Sequence, residues 1–91
     1  MLERDIEKYL KERVIFLGGE VRKVKWIGRP HAPDRVVMLR GVYFVELKRP
    51  GEDLRPGQER EHKRMRFAGA DVRMVSTIEG VDAFILELQT K

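Results

Sequence analysis

Two acidic residues and a lysine stand at the ends of neighbouring apolar runs in this 91-residue chain. Asp34 comes just before the first run, and Glu46 and Lys48 close the second. The connection between the runs, Arg40-Gly41, is short enough for a tight hairpin turn, so both runs are predicted to be antiparallel strands. Because the start of one antiparallel strand lies beside the end of its partner, the three ionisable groups are expected to meet at one end of the hairpin.

That combination of groups is typical of metal-dependent phosphodiester hydrolysis. Two converging carboxylates with an open side suit Mg²⁺, which keeps several waters and is usually held by one or two carboxylates and substrate phosphate. A lysine two residues from a ligand can orient or deprotonate the attacking water, or neutralise charge that develops on a phosphate. The second strand is apolar on both faces until its last residues, so Glu46 and Lys48 are predicted to emerge from a core.

The same residues resemble a known nuclease signature. Pro33-Asp34 followed by Glu46-Leu47-Lys48 is similar to the PD-(D/E)XK motif, and its context resembles the VRR-NUC branch, the virus-type replication-repair nucleases. The resemblance covers nearly the whole chain, with an early Glu in an N-terminal helix, Leu54-Arg55-Pro56-Gly57-Gln58 at a helix start, and a late Val81-Asp82-Ala83-Phe84. The branch usually has Gly-x-Pro-Asp where this chain has His31-Ala32-Pro33-Asp34, so the backbone of that turn can differ from the family's.

The resemblance implies a metal site and a nucleophile-activating residue. Asp34 and Glu46 would bind one or two Mg²⁺ ions, for which Mn²⁺ would substitute. The backbone carbonyl of Leu47 would be a further ligand, and Lys48 would assist the nucleophilic water in an in-line attack.

Two more residues have both a functional and a structural interpretation. Glu3 falls in the apolar stripe of the first helix, and the resemblance places it in the outer shell of the metal site. An acid in a first helical turn also simply favours the helix dipole. Gln58 would position the lysine or the scissile phosphate, with capping of its own helix as the alternative.

The elements that must position these residues follow from periodicity and breakers. Residues 2–17 have the apolar spacing of an amphipathic helix, and residues 20–27 are β-rich and predicted to be an edge strand. A further helix is expected from Pro56, and a buried strand over residues 72–75. Ser76-x-x-Glu79 fits a capping box that opens the last helix.

This order of helix, three strands, helix, strand and helix predicts an α/β fold. We expect a small restriction-endonuclease-like fold, with a mixed central β-sheet flanked by helices, as a single VRR-NUC domain over residues 1–91.

The composition indicates which binding partners and which cellular compartment to expect. Nineteen basic residues against fifteen acidic ones give a net charge of +4, and the basic segments 22–25 and 63–66 are either phosphate contacts or solvated faces. The chain has no cysteine, which allows a reducing compartment, and no apolar run near the ~20 residues of a membrane span. We therefore expect an intracellular, cytoplasmic protein without a membrane partner, with a virus- or phage-encoded origin as one option.

Three aromatic side chains receive mainly structural interpretations. Trp26 is expected in a core or interface rather than as a base-stacking platform. His31 could touch DNA or the metal's second shell, although a lone loop histidine usually does neither. His62 is expected to pack rather than to act in catalysis, because the resemblance implies no histidine base.

Together these features predict a Mg²⁺-dependent DNA endonuclease. Recognition of branched DNA by shape, as a homodimer similar to Holliday-junction resolvases, is the expected mode because one small domain leaves little room for reading base sequence. The alternatives are a different metal-dependent phosphohydrolase and a non-catalytic or accessory DNA-binding module of the same fold.

Overall fold

Three helices and four strands make up the computed structural model, which describes all residues from Met1 to Lys91. In chain order they are α1 (Glu3–Phe16), β1 (Glu20–Lys23), β2 (Arg35–Met38), β3 (Val42–Leu47), α2 (Pro56–Phe67), β4 (Val72–Val75) and α3 (Ile78–Gln89). The predicted α/β fold class and element order are confirmed. None of the helices has the length and apolar character needed to cross a membrane.

The four strands form one mixed sheet in the order β1-β2-β3-β4. The pairs β1–β2 and β2–β3 are antiparallel, and β4 is parallel to β3, with Glu46 paired to Met74. β1 lies at an edge, as predicted, while β3 is central and carries Glu46. A central strand places that acid where neighbours on both sides can reach it.

The hydrophobic core lies on one face of the sheet. There the inner faces of α1 and α3 pack on the apolar side of the strands, and the core consists of Ile6, Leu10, Val14, Val21, Val37, Leu39, Tyr43, Val45, Leu47, Val75, Val81, Phe84, Ile85 and Leu88. No residue of α2 belongs to this core. The buried residues of α2 are all polar: Gln58, Glu61 and His62. This helix therefore covers the opposite face of the sheet through polar contacts, and the candidate site lies under it.

The first strand is shorter than predicted. β1 ends at Lys23 rather than near residue 27, because Lys23 pairs with Arg35, where its partner strand begins. Val24 N–H still donates to the Asp34 carbonyl at 3.1 Å, but the residues that follow leave the sheet and form a loop. Alternation and β-propensity within one segment do not show where the paired strand begins, and that is what limits β1.

The hairpin and two helix starts also differ in detail from the prediction. The connection between β2 and β3 has three residues, 39–41, and Arg40 takes a left-handed φ of 54°. The cap of α3 is Thr77 rather than Ser76, and its side chain accepts from Gly80 N–H at 2.9 Å. At the start of α1, Leu2 is the exposed N-cap, and Glu3 is exposed rather than facing the core.

Candidate active site

Asp34 lies at the entrance to β2, held against the end of β3. Its Oδ2 accepts a hydrogen bond from the backbone N–H of Leu47 at 2.8 Å. In an extended strand the N–H and C=O of one residue point to the same side, so the Leu47 carbonyl also faces Asp34. The Asp34 carboxylate and the Leu47 carbonyl thus lie at one end of the β2–β3 pair.

Glu46 is the buried acid of the site. It exposes only 2% of its surface, on the face of β3 that α2 covers. Its Oε2 accepts from Gln58 Nε2 at 3.0 Å and lies 3.8 Å from Lys48 Nζ. Its Oε1 is buried without any hydrogen-bond partner and lies 3.9 Å from His62 Nε2. One carboxylate oxygen therefore has a hydrogen-bond donor from the protein, and the other is buried without one.

The environment of Glu46 disfavours its charged form. Burial is the main cause, and with the nearby Asp34 carboxylate it raises the pKa of Glu46 to about 7. Glu3 acts in the same direction, while Lys48 opposes the shift. A buried acid close to other acids gains from a cation that would neutralise it, so this arrangement has the electrostatics of a metal-binding or proton-transferring site.

Gln58 bridges the start of α2 to Glu46. Its Oε1 accepts from the backbone N–H of Arg55 at 2.9 Å, which is a capping contact, and its Nε2 donates to Glu46. Because the capping bond uses the oxygen, the amide nitrogen is the atom that faces the carboxylate. Gln58 thus caps its helix and also orients Glu46, whereas its predicted partners were Lys48 or a phosphate.

Glu3 stands at the rim of this cluster rather than inside it. Partial burial and the carboxylates of Asp34 and Glu52 raise its pKa, against Lys48 and Arg49, which lower it. Its charged neighbours therefore include Asp34 and Lys48, although its side chain is exposed. The start of α1 brings a third carboxylate toward the same end of the sheet.

His31 adopts a left-handed backbone with φ of 72° and lies over the start of α2. A β-carbon added to Gly57 would collide with His31 Nε2, so the imidazole occupies the space beside that glycine. His31 occupies the position where the resemblance expects a glycine, and it keeps the positive φ that glycine would allow, which histidine tolerates better than most residues. The turn into Asp34 therefore has a glycine-like backbone without the glycine.

His62 is the buried neighbour that the sequence interpretation assigned to packing. Its ring is fully buried, and neither nitrogen has a hydrogen-bond partner. Burial and the nearby Arg66 lower the pKa of His62, which favours the neutral ring. The contact with Glu46 is thus not an ion pair, and the ring forms one wall of the space around Glu46 Oε1.

Glu61 is a buried residue of α2 that the sequence analysis did not identify. It accepts hydrogen bonds from Trp26 Nε1 at 2.7 Å, from Arg29 at 2.7 Å and from Arg64 at 3.2 Å. Burial alone would raise its pKa, but these three donors together hold the pKa of Glu61 below its usual range. An acid three residues after Gln58, on the same helix face, is the sequence signal that could have revealed it.

The hydrogen bond to Glu61 also shows that Trp26 has a structural position. The indole N–H is bound to Glu61, and the ring lies 6.2 Å from the ring of Phe44 on β3. Trp26 therefore packs its own loop, between β1 and β2, against α2 and the sheet.

The side chains present fit a metal held by few protein ligands. No group of three or more His, Cys, Asp or Glu side chains is placed to hold a metal by itself. The unpartnered Oε1 of Glu46, the adjacent Asp34 carboxylate and the Leu47 carbonyl are hard oxygen donors. That set suits Mg²⁺, which keeps waters and takes one or two carboxylates.

Comparisons with known proteins identify the family to which this fold belongs. The chain matches no protein-family model. It is 43% identical over 72 residues to "Putative nuclease p44" of Acyrthosiphon pisum secondary endosymbiont phage 1, covering 77% of either chain. A solved structure described as "VRR_NUC domain" superposes with a TM-score of 0.83 at 44% identity, over 91% of this chain and 92% of that one. The chain belongs to the VRR-NUC family of nucleases.

Proposed function

We propose that this protein is a Mg²⁺-dependent endonuclease that hydrolyses phosphodiester bonds in DNA. The observation that carries the proposal is Glu46, a buried carboxylate near Asp34 that has one oxygen held by Gln58 and the other without a hydrogen-bond partner. Membership of a nuclease family supports the choice of a phosphodiester substrate.

Each residue at the site has a proposed role, which rests on its position in the fold and on the family's pattern. Asp34, Glu46 and the Leu47 carbonyl would hold Mg²⁺, with Mn²⁺ as a substitute and Glu3 acting from the outer shell. When bound, the ion would neutralise phosphate charge and lower the pKa of a bound water.

Lys48 is nearly buried, and its ammonium lies beside Glu46, close to where a phosphate would be held. It would orient the attacking water and stabilise charge that develops in the transition state. Gln58 would keep the Glu46 carboxylate in one orientation through the two hydrogen bonds of its amide.

We further propose that the active species is a homodimer that selects branched DNA by its shape, in the manner of Holliday-junction resolvases. Two equivalent sites related by a two-fold axis match the two strands that must be cut in a symmetric junction. The 91 residues are used by one sheet and its helices, so recognition within them must rely on backbone contacts and DNA shape.

A plasmid-nicking assay tests the proposed chemistry. We expect cleavage with Mg²⁺ or Mn²⁺, none in EDTA, and none with purified Glu46→Gln or Asp34→Asn protein that circular dichroism shows to be folded. Lys8→Gln is the matched control, because Lys8 is exposed on α1, which packs on the opposite face of the sheet from α2. Equal cleavage by Glu46→Gln, or full activity in EDTA, would contradict the proposal.

A further inference from the structure

A buried carboxylate holds two arginines side by side on the face of the protein that carries the candidate active site. Arg29 and the Nε of Arg64 both donate to the same oxygen of Glu61, while Trp26 uses the other oxygen. The Glu61 side chain is only 4% exposed, whereas those of Arg29 and Arg64 are 52% and 59% exposed. Each guanidinium is thus anchored on its inner side and open to solvent on its outer side.

The charges in this group do not cancel. Two guanidiniums share one carboxylate, so one positive charge remains in excess at the surface. The shared carboxylate attracts both guanidiniums but neutralises only one of them, so an anion that approaches from the open side would also be attracted. The planar fork of donors on arginine matches the oxygens of a phosphate better than an ammonium does.

The position of the group relates it to the candidate active site. Glu61 follows Gln58 by three residues on α2, a rise of about 4.5 Å along the helix. The loop that carries Arg29 continues to His31, which lies on Gly57 at the start of the same helix, and then to Asp34. Glu61, which anchors both guanidiniums, is therefore about one helical turn from Gln58, which contacts Glu46, so the pair lies on the side where a neighbouring phosphate of the same strand would pass.

We propose that Arg29 and Arg64, held by Glu61, form a paired binding site for the phosphate backbone of DNA next to the bond to be cut. The proposal rests on the proposed function and names the contact that places DNA in that site. Glu61 is here a positioning residue: it fixes the two arginines and joins the loop before Asp34 to α2.

Salt dependence of binding is the measurement that separates a phosphate contact from a structural role. Each phosphate neutralised by a cationic side chain contributes about −0.9 to the slope of log affinity against log salt concentration. We would measure the slope by fluorescence anisotropy with labelled duplex DNA in EDTA, between about 50 and 200 mM salt. The proteins are wild type, Arg29→Gln, Arg64→Gln, the double variant, and Lys8→Gln as an exposed cation on the opposite side of the sheet.

We expect each single Gln variant to make the slope shallower by about 1 and the double variant by about 2, with no change for Lys8→Gln. At saturating DNA with Mg²⁺, kcat of the single variants should stay within about twofold of wild type while KM rises, because the contact is made equally in the ground and transition states. A double Arg→Lys variant should recover the slope but not the full affinity, because it keeps the charge and loses the fork. If the double Gln variant fails to fold, the two single variants suffice for the test. In each of them Glu61 keeps its hydrogen bonds with Trp26 and with the remaining arginine.

Two outcomes would overturn the proposal: unchanged slopes in folded Arg29→Gln and Arg64→Gln, or an equal loss in Lys8→Gln. The binding assay contains no Mg²⁺ and needs no cleavage, so its result is independent of the nuclease assay. A protein that never cuts DNA but shows the expected slopes would refute the proposed function and leave this site standing. If the protein cuts DNA but the salt slope of binding is the same in wild type and in both Gln variants, only this phosphate site would be refuted.

Discussion

Glu46 combines two properties that oppose each other in the absence of a cation. Its burial favours the protonated form, with a pKa of about 7. Its position beside Asp34 and Lys48 is useful for metal binding only when it is ionised. An ordinary carboxyl has a pKa near 4.5, so folding without metal must either retain a proton on Glu46 or bury its charge.

The stability of the metal-free protein should therefore fall as Glu46 ionises. Below about pH 4.5 the carboxyl is neutral in both folded and unfolded chains; between pH 4.5 and about 7 the folded protein binds more protons than the unfolded one, so stability decreases with pH. We expect Glu46→Gln to be more stable than wild type by about 3 kcal/mol at pH 8 in EDTA, with no difference near pH 4.5. Urea unfolding of both proteins across this range measures the difference.

Magnesium provides the control for that experiment. The ion should raise the stability of wild type at pH 8 and leave Glu46→Gln unchanged, because binding to the folded state stabilises it by mass action. A variant less stable than wild type at pH 8 in EDTA would show that the ionised Glu46 is already well accommodated.

Lys48 should matter for the chemical step more than for binding. Its ammonium is held 3.8 Å from Glu46 Oε2 in a nearly buried position, so it is fixed before substrate arrives. We expect Lys48→Ala to lower kcat by about 10²-fold or more with little change in DNA affinity, and Gln58→Ala to give a smaller loss in the same direction. Single-turnover cleavage and anisotropy binding separate the two quantities. Normal cutting at saturating DNA with weakened affinity would reassign Lys48 to phosphate anchoring.

For individual side chains, the sequence predicts placements that follow from a local pattern better than it predicts contacts between distant segments. The side-by-side placement of Asp34 and Glu46 follows from strand pairing and a short hairpin, both readable from the chain. The contacts of Glu61 with Trp26 and Arg29 join residues over thirty positions apart, and no periodicity predicts them.

Among the elements, the β2–β3 pair and α2 carry the candidate site, and the start of α1 brings Glu3 to its rim. Arg35, the first residue of β2, forms an ion pair with Glu7 of α1, one turn after Glu3. Arg35 also donates to the carbonyl of Asp34 at 2.8 Å. The register of α1 against β2, and with it the position of Glu3 relative to Asp34, thus depends on this ion pair and on the packing at both ends of α1.

The C-terminal end of α1 packs closely through Gly19. A β-carbon at this buried position would stand 2.6 Å from the carbonyl oxygen of Met38 and 2.7 Å from a methyl group of Val14. The carbonyl belongs to the sheet backbone and cannot move aside, so overpacking should cost about 1–3 kcal/mol.

We expect Gly19→Ala to lower the melting temperature by about 5–15 °C in a domain of this size. Gly69→Ala is the comparison, because Gly69 has a φ of 104° but nothing within 4 Å of an added β-carbon, so it tests backbone strain alone. Thermal unfolding by circular dichroism measures both. A smaller loss for Gly19→Ala than for Gly69→Ala would show that the junction between α1 and β1 relaxes easily.

The type and order of elements were predictable because each carries a period or a breaker of its own. Where prediction was wrong, the deciding contact lies in another element. β1 ends at Lys23 because β2 begins at its partner Arg35, and the buried residues of α2 include Glu61, whose partners lie outside that helix. Local patterns do not reveal that the second face of the sheet is covered through polar contacts rather than by a second apolar core.

For the whole molecule, the division between an apolar and a polar face limits where a second copy could bind. The core-facing residues of α3 are used inside the protein, and Trp26 is engaged with Glu61 and Phe44, so neither is available. In the layer formed by α1 and α3, the large exposed apolar residues are Phe16 and Ile15 at the end of α1, and Leu86 on the outer side of α3. The end of α1 therefore offers two adjacent exposed apolar side chains, Ile15 and Phe16, for a dimer contact.

A homodimer built through the end of α1 would present two active sites while leaving α2 and its arginines free for DNA. Phe16 is 79% exposed, and burying such a ring on a partner stabilises association by roughly 1.5–3 kcal/mol. We expect light scattering at micromolar concentration to give about twice the 10.7 kDa of one chain, and Phe16→Glu to give the monomer with its fold intact. Wild type should cut a four-way junction faster than linear duplex at matched salt, and the monomeric variant should lose that preference, because a single site cannot engage two strands at once. A wild-type monomer at this concentration would contradict the dimer, and equal cutting of both substrates would remove the selectivity for branched DNA.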